Sequence, residues 1–294
     1  MAETSATSIS TTLVKTLRER TGAGVMACRA TLAETGGDLD AAIERLRDAQ
    51  TTMAAKKADR VALEGLVSIA AEGPRGAIVE VNCETDFVAR SDEFRRAVSA
   101  LGPVALAVDG RLEVMVATVS PDGDGRVSDL ITRLSARTGE RVTIRRTAAI
   151  AAPGGQVSSY VHNAADATTG TIGVLVALDG PVAALPVIGR QLAMHIAASA
   201  PQWITAADIP AAVLADKRAE LQAQAQTSGK PMGVVERMVE GRLRKFIDEV
   251  VLLRQPFILD PDRAVEQALA EAAAGEPVTV RAFVRYRVGD TMTA

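Results

Sequence analysis

Two apolar runs, Gly65 to Gly73 (GLVSIAAEG) and Gly76 to Glu84 (GAIVEVNCE), meet across Gly73-Pro74-Arg75-Gly76. Turn residues at that spacing between β-favouring runs specify an antiparallel hairpin. Beyond Thr85 to Arg90 (TDFVAR), Ser91-Asp92-Glu93 opens a helix that carries Phe94, Val98 and Leu101 on one face. The strand, strand, helix unit then recurs. Gln156 to Tyr160 with TIGVLVALDG supplies a second strand pair, and VIGRQLAMHIAAS from Val187 a second helix, so that Gly76-Ala-Ile-Val-Glu-Val aligns with Gly173-Val-Leu-Val-Ala-Leu. The duplication predicts an α+β fold with a core of two related subdomains, each with an antiparallel sheet.

Other segments flank and interrupt this core. Ile9, Leu13, Val14 and Leu17 follow helical spacing, TGAG at Thr21 to Gly24 breaks the pattern, and a second helix carries Val25, Met26 and Leu32. Gly36-Gly37-Asp38 ends that helix and caps a third, which buries Leu39, Ala42, Ile43 and Leu46. Three such helices make a small unit over residues 1–49, and the polar, basic stretch 50–64 with Lys56, Lys57 and Arg60 reads as a linker. The core subdomains follow at 65–152 and at 153–200 with 242–294. Arg126 to Arg137 reads as a helix between them and RVTIRRTAAIA as a strand. Residues 201–241 form an insertion in which Gly229 and Pro231 separate two helices of an antiparallel hairpin. A helix at Arg263 to Ala272 and the strand PVTVRAFVRYRV close the core.

The chemistry-bearing residues are few. A chain of 294 residues contains only His162 and His195 as histidines, and neither stands near a candidate nucleophile in any motif. GAGVMA at Gly22 matches a dinucleotide fingerprint in letters, yet a helix rather than a strand precedes it. DGDG at Asp122 is too short for a calcium loop, and no GxxxxGK[ST] phosphate loop occurs. Cys28 and Cys83 lie far apart and outside any CxxC pattern, as expected of buried small hydrophobes in a reducing compartment. The chain is therefore expected to be no enzyme and to hold no nucleotide, metal or other cofactor. A net charge of −3 gives no broad positive field for nucleic acid. No signal-peptide pattern or membrane-spanning run is visible, which predicts a cytoplasmic protein without a membrane partner.

Two motifs give the chain a family resemblance: LVKTLRERTGAGVMACRATLAETGGDLDAAIERLR at Leu13 to Arg47 and EVNCETDFVAR at Glu80 to Arg90. With HIAAS at His195, SGKP at Ser228, MVEGRLRKF at Met238 and QPFI at Gln255, the chain resembles the bacterial elongation factor Ts family nearly end to end. The resemblance implies a ubiquitin-associated-like helical domain, a core of two related subdomains and a protruding helical hairpin. It implies elongation factor Tu as protein partner, a 2:2 complex being among the open stoichiometries, and stimulation of GDP release. Thr85, Asp86, Phe87 and Val88 are then the element that dislodges Mg²⁺ from the partner, with an aromatic ring pressed in beside the phosphate site. Arg18, Val25 and Met26 near the TGAG turn, the pair Thr138-Gly139, and His162 become further contacts.

Read without the resemblance, several of these residues have other roles. Asp86-Phe87 becomes a helix-capping acid and a core aromatic, Val25 and Met26 a packing face, and His162 a polar loop histidine after a strand. His195, beside Leu192 and Ile196, reads as a satisfied core histidine. Valine at 25 and threonine at 138 are smaller or more polar than the family pattern. The loop HNAADATTGTIG is longer than usual, and the sequence stops soon after Val288, which predicts a weaker grip on the partner's G domain. The alternative function is a ribosome- or RNA-associated module built on the basic linker and GRLRKF, although aromatics for base stacking are scarce.

Overall fold

The structure, a computed structural model, describes residues 9–180, 183–227, 231–272 and 276–290. Ser10 caps helix α1 (Thr11–Thr21), followed by α2 (Val25–Glu34) and by α3 (Leu39–Ala55), which Asp38 caps through Asp40 and Ala41. Leu17, Cys28, Leu32, Ala42, Ile43 and Leu46 form the core of this bundle. Helix α3 runs past residue 49, into the stretch the sequence suggests as linker. There, Lys57 is buried and its Nζ donates to the Ser135 carbonyl at 2.9 Å. A lysine removed from water needs such a partner, so part of the stretch packs against the segment that contains Ser135.

Strands β1 (Glu64–Glu72) and β2 (Arg75–Cys83) form the first hairpin. Helix α4 (Asp86–Ala89) and helix α5 (Asp92–Ala107) come next, then α6 (Leu112–Ala117), α7 (Val127–Thr138) and β3 (Thr143–Ala151), which pairs with β2. The second hairpin is β4 (Gly155–Ala164) and β5 (Thr169–Asp179), followed by α8 (Leu185–Ser199). Helices α9 (Ala211–Gln226) and α10 (Met232–Val250) make the helical hairpin, packed through Leu221, Ala225, Val235, Val239 and Leu243. Its second helix runs to Val250, well past residue 241, because Leu243, Phe246 and Ile247 keep the apolar period. Of the expected SGKP turn, residues 228–230 lie outside the described residues. The chain ends in β6 (Pro256–Phe257), β7 (Asp260–Ala264), α11 (Val265–Ala272) and β8 (Thr279–Arg287); Arg263 belongs to β7, not to the closing helix.

The two hairpins belong to one antiparallel sheet of order β3-β2-β1-β5-β4, with β8 also on β5. β1 and β5 are joined only at Val67–Gly170 and Ser68–Thr169, and the sheet folds over at that seam. Successive side chains on a strand point to opposite faces. Ala77, Val79, Val81 and Cys83 of β2 therefore pack under α5 and α7, while Ile78 meets Leu175 and Ala177 of β5 between the two sheet halves. Val174, Val176 and Leu178 of β5 pack under α8 and α11. The layers run helix, sheet, sheet, helix. The duplication holds residue by residue. Ser68 pairs with Val79 as Ser158 pairs with Val176, and α5 Gly102 sits on Ser68 as α8 Gly189 sits on Ser158.

Candidate functional site

Strand β2 ends at Cys83, whose Sγ lies 3.2 Å from the Thr85 carbonyl. Burial, with Glu140 and Glu64 nearby, pushes its thiol up to about 12, so it is inert at neutral pH. The chain then turns once as α4 before Ser91 caps α5 through the Phe94 amide. The cap of α4 is Thr85, whose Oγ1 accepts from Val88 N at 3.4 Å; Asp86 is already helical and pairs with Arg90 at 3.0 Å. Ala89 is buried and Val88 is half-buried against the core beneath α5. Phe87 faces away from that core and is 83% exposed. The reading of Asp86-Phe87 as a capping acid and a core aromatic is thereby corrected.

Thr138 and Gly139 come to the same place. Gly139 closes α7 in the left-handed conformation, φ 74°, and is exposed. The Thr138 hydroxyl donates to the Leu134 carbonyl at 2.8 Å and accepts from Glu140 N at 3.3 Å, which turns it inward. Glu140 then reaches the β2–α4 turn. Its Oε2 accepts from Glu84 N (3.0 Å) and Thr85 N (3.1 Å), and its Oε1 accepts the Thr85 hydroxyl (2.6 Å). Glu84 reciprocates, with Oε1 accepting from Arg141 N at 2.5 Å and lying 3.3 Å from Arg60 Nη1. The amide of Arg141 holds the Glu84 carboxyl below its ordinary range, with Arg60 adding to the effect. Sequence reasoning missed Glu140 and Glu84. The one available hint was an acid directly after a helix-ending glycine.

The turn after α1 adjoins this region. Gly22 has φ 69°, and a Cβ there would overlap the Arg137 guanidinium; Arg137 in turn reaches Glu93 of α5 at 2.5 Å. Val25 and Met26 open α2 at 47% and 77% exposure, so Cys28 and Leu32, not they, form its packing face. Arg18 is exposed on α1. Through Arg137 and Glu93 the structure thus strings together the α1–α2 turn, the end of α7 and the start of α5. His162 is not part of this group. It lies within β4, not after it, opposite Ile172, exposed, with Nδ1 3.2 Å from the Tyr160 hydroxyl.

His195 is fully buried, its Nε2 2.8 Å from Gln255 Oε1, and burial holds it below the ordinary histidine range. Of the basic linker residues, Lys57 and Arg60 are engaged within the chain. Among the described residues no group of three His, Cys, Asp or Glu side chains is placed to hold a metal, and no helix is long and apolar enough to cross a membrane.

A family model described as elongation factor TS matches residues 84–290, from the turn that carries Phe87 to the end of the described chain. The elongation factor Ts of Maricaulis maris is 48% identical, over 96% of this chain and 92% of its own length. Those of Parvibaculum lavamentivorans and Rhodospirillum rubrum are each 46% identical, over 96% of this chain and 93% of theirs. With a family match over most of the chain and relatives that span nearly all of it, this chain belongs to the elongation factor Ts family of translation elongation factors.

Proposed function

We propose that this chain is a cytoplasmic guanine-nucleotide exchange factor for elongation factor Tu. It binds the Tu–GDP complex and promotes the loss of Mg²⁺ and GDP so that GTP enters, with no catalytic residue and no nucleotide site of its own. The observation that carries the reading is Phe87, a large apolar ring left almost wholly exposed on a single helical turn braced from both sides. In this reading Thr85 to Val88 are the wedge. The ring enters the partner beside its Mg²⁺ and phosphate site, and GDP loses the cation bridge and the backbone donors that held it. Arg18, Val25, Met26 and the Thr138-Gly139 corner grip the same partner domain, and His162 meets another.

No chemistry is needed for acceleration. Two ligands of one protein that weaken each other do so reciprocally, and a coupling of ~3 kcal/mol changes each affinity roughly 150-fold. A rigid apolar wedge favours the nucleotide-free partner and supplies that coupling. The test is release of fluorescent GDP from purified elongation factor Tu with and without this protein. Acceleration that grows with its concentration and saturates is expected. An unchanged release rate at micromolar concentrations of both proteins would overturn the reading.

A further inference from the structure

Helix α4 has four residues. A single turn is not stable by itself, since nucleation fixes several residues for one hydrogen bond. Its own cap bond is long, 3.4 Å, and Ala89 is its one buried side chain. Val88 and Ala89 seat the turn on the core and Ser91 holds the Val88 carbonyl from behind at 2.8 Å, while the side-chain clamp on its leading edge enters through the preceding peptides. Both N–H groups there, Glu84 and Thr85, end on one carboxylate oxygen of Glu140, and the Thr85 hydroxyl ends on the other. Bonds to an ionised acceptor are about twice as strong as neutral ones. The return bond from Arg141 N to Glu84 makes the connection mutual, and Arg60 closes it: its carbonyl accepts from Arg141 Nη1 at 2.6 Å.

From this geometry we infer that Glu140 is a positioning residue for nucleotide exchange, acting through Phe87. Its carboxylate clamps the Glu84–Thr85 peptide so that the ring meets the partner already oriented, and it ties the Thr138-Gly139 corner and the α4 wedge into one rigid part. Preorganisation of this kind raises the strength of a contact by removing the ordering it would otherwise need. The inference rests on the exchange reading above. The amides it holds are only partly buried, so water can replace the carboxylate and the fold survives its loss.

The experiment compares Glu140→Ala, Glu140→Gln, Phe87→Ala and the Phe87→Ala/Glu140→Ala double variant. The readouts are the rate of fluorescent GDP release at saturating factor, the melting temperature, and amide hydrogen exchange at Glu84 and Thr85 in the isolated protein. Glu140→Ala is expected to lower the saturating rate at least tenfold and to expose both amides to exchange, with melting nearly unchanged. Glu140→Gln keeps an acceptor oxygen in place and should restore the rate to within about threefold. In the Phe87→Ala background the alanine change should add less than twofold, because its effect passes through the ring. Additive losses would make Glu140 a direct partner contact and overturn the assignment. So would full activity in Glu140→Ala, or amides as protected as before. If Glu140→Ala fails to fold, Glu140→Asp, which keeps the charge but withdraws it by one methylene, must show the same loss for the assignment to stand. Failure of the unaltered protein to accelerate release removes the exchange reading itself, a result distinct from all of these.

Discussion

An exposed phenylalanine forgoes the roughly 1.5–3 kcal/mol that burial of its ring would contribute. Phe87 is in that position at 83% exposure, while Val88 and Ala89 beside it turn to the core. Removing the ring should then leave the isolated chain as stable as before, within ~0.5 kcal/mol as for surface substitutions generally, and abolish most of the stimulated GDP release. A core phenylalanine truncated in the same way costs ~3–5 kcal/mol. One variant measured by thermal melting and by release kinetics separates the two. A Phe87→Ala protein that melts early and retains full exchange activity per folded molecule would sink the wedge. Local pattern without the family motif makes Asp86-Phe87 a cap and a core aromatic, since one turn of helix has too few residues for a periodicity to show which face is buried. Only the TDFVAR resemblance points to a ring turned outward. Glu140 was illegible for another reason. A hydrogen bond between residues more than fifty positions apart leaves no trace in local spacing.

Elements were far more legible than contacts. The hairpins, the helices α5, α7 and α8 and the internal repeat follow from period-2 and helical patterns, and the repeat survives down to the Gly102–Ser68 and Gly189–Ser158 contacts. The folding of both halves into one sheet was not foreseen, although β2 and β5 carry the mark of strands buried on both faces, a near-continuous apolar run. His195 shows how a polar residue locks such elements. Gln255 donates its amide to the Glu249 carbonyl, which turns Oε1 toward His195 Nε2, and His195 Nδ1 accepts the N–H of Ile258 at 3.2 Å. The ring is therefore neutral, with its proton on Nε2, and a second proton on Nδ1 would face a donor. Its pKa is lowered on folding, chiefly by burial. The unfolded chain then binds the extra proton first, and stability should fall as pH drops through the ordinary histidine range. His195→Leu should flatten that dependence while destabilising the fold by roughly 1–3 kcal/mol for each group left without a partner. Melting temperatures between pH 8 and 5 check both, and a wild-type curve that is flat between pH 7 and 5.5 would contradict the assignment.

At the scale of the whole molecule, the bundle of α1, α2 and α3 has its own apolar core, and it and the residues just after it reach the rest of the chain through named polar contacts. Arg47 of α3 pairs with Asp124 in the loop before α7, Lys57 holds the Ser135 carbonyl, and Gly22 lies against Arg137. On the exchange reading proposed above, in which the α1–α2 turn and the α4 turn meet one partner domain, this docking would set the distance between those two surfaces. A second contact made within an already formed complex adds affinity through effective concentration without any change at the first. Loosening the dock should then weaken binding and leave the wedge's action intact. The Arg47–Asp124 pair is about one-third exposed on each side, so its loss should cost ~0.2–1 kcal/mol. Arg47→Ala is therefore expected to raise the concentration of factor needed for half-maximal GDP release by about 1.5- to 5-fold, more at low salt than at high, with the saturating rate unchanged. Phe87→Ala should do the reverse, losing rate at saturation. A titration of release rate against factor concentration reads both quantities. If Arg47→Ala lowers the saturating rate and leaves the half-maximal concentration alone, the bundle acts on the wedge itself and not on affinity.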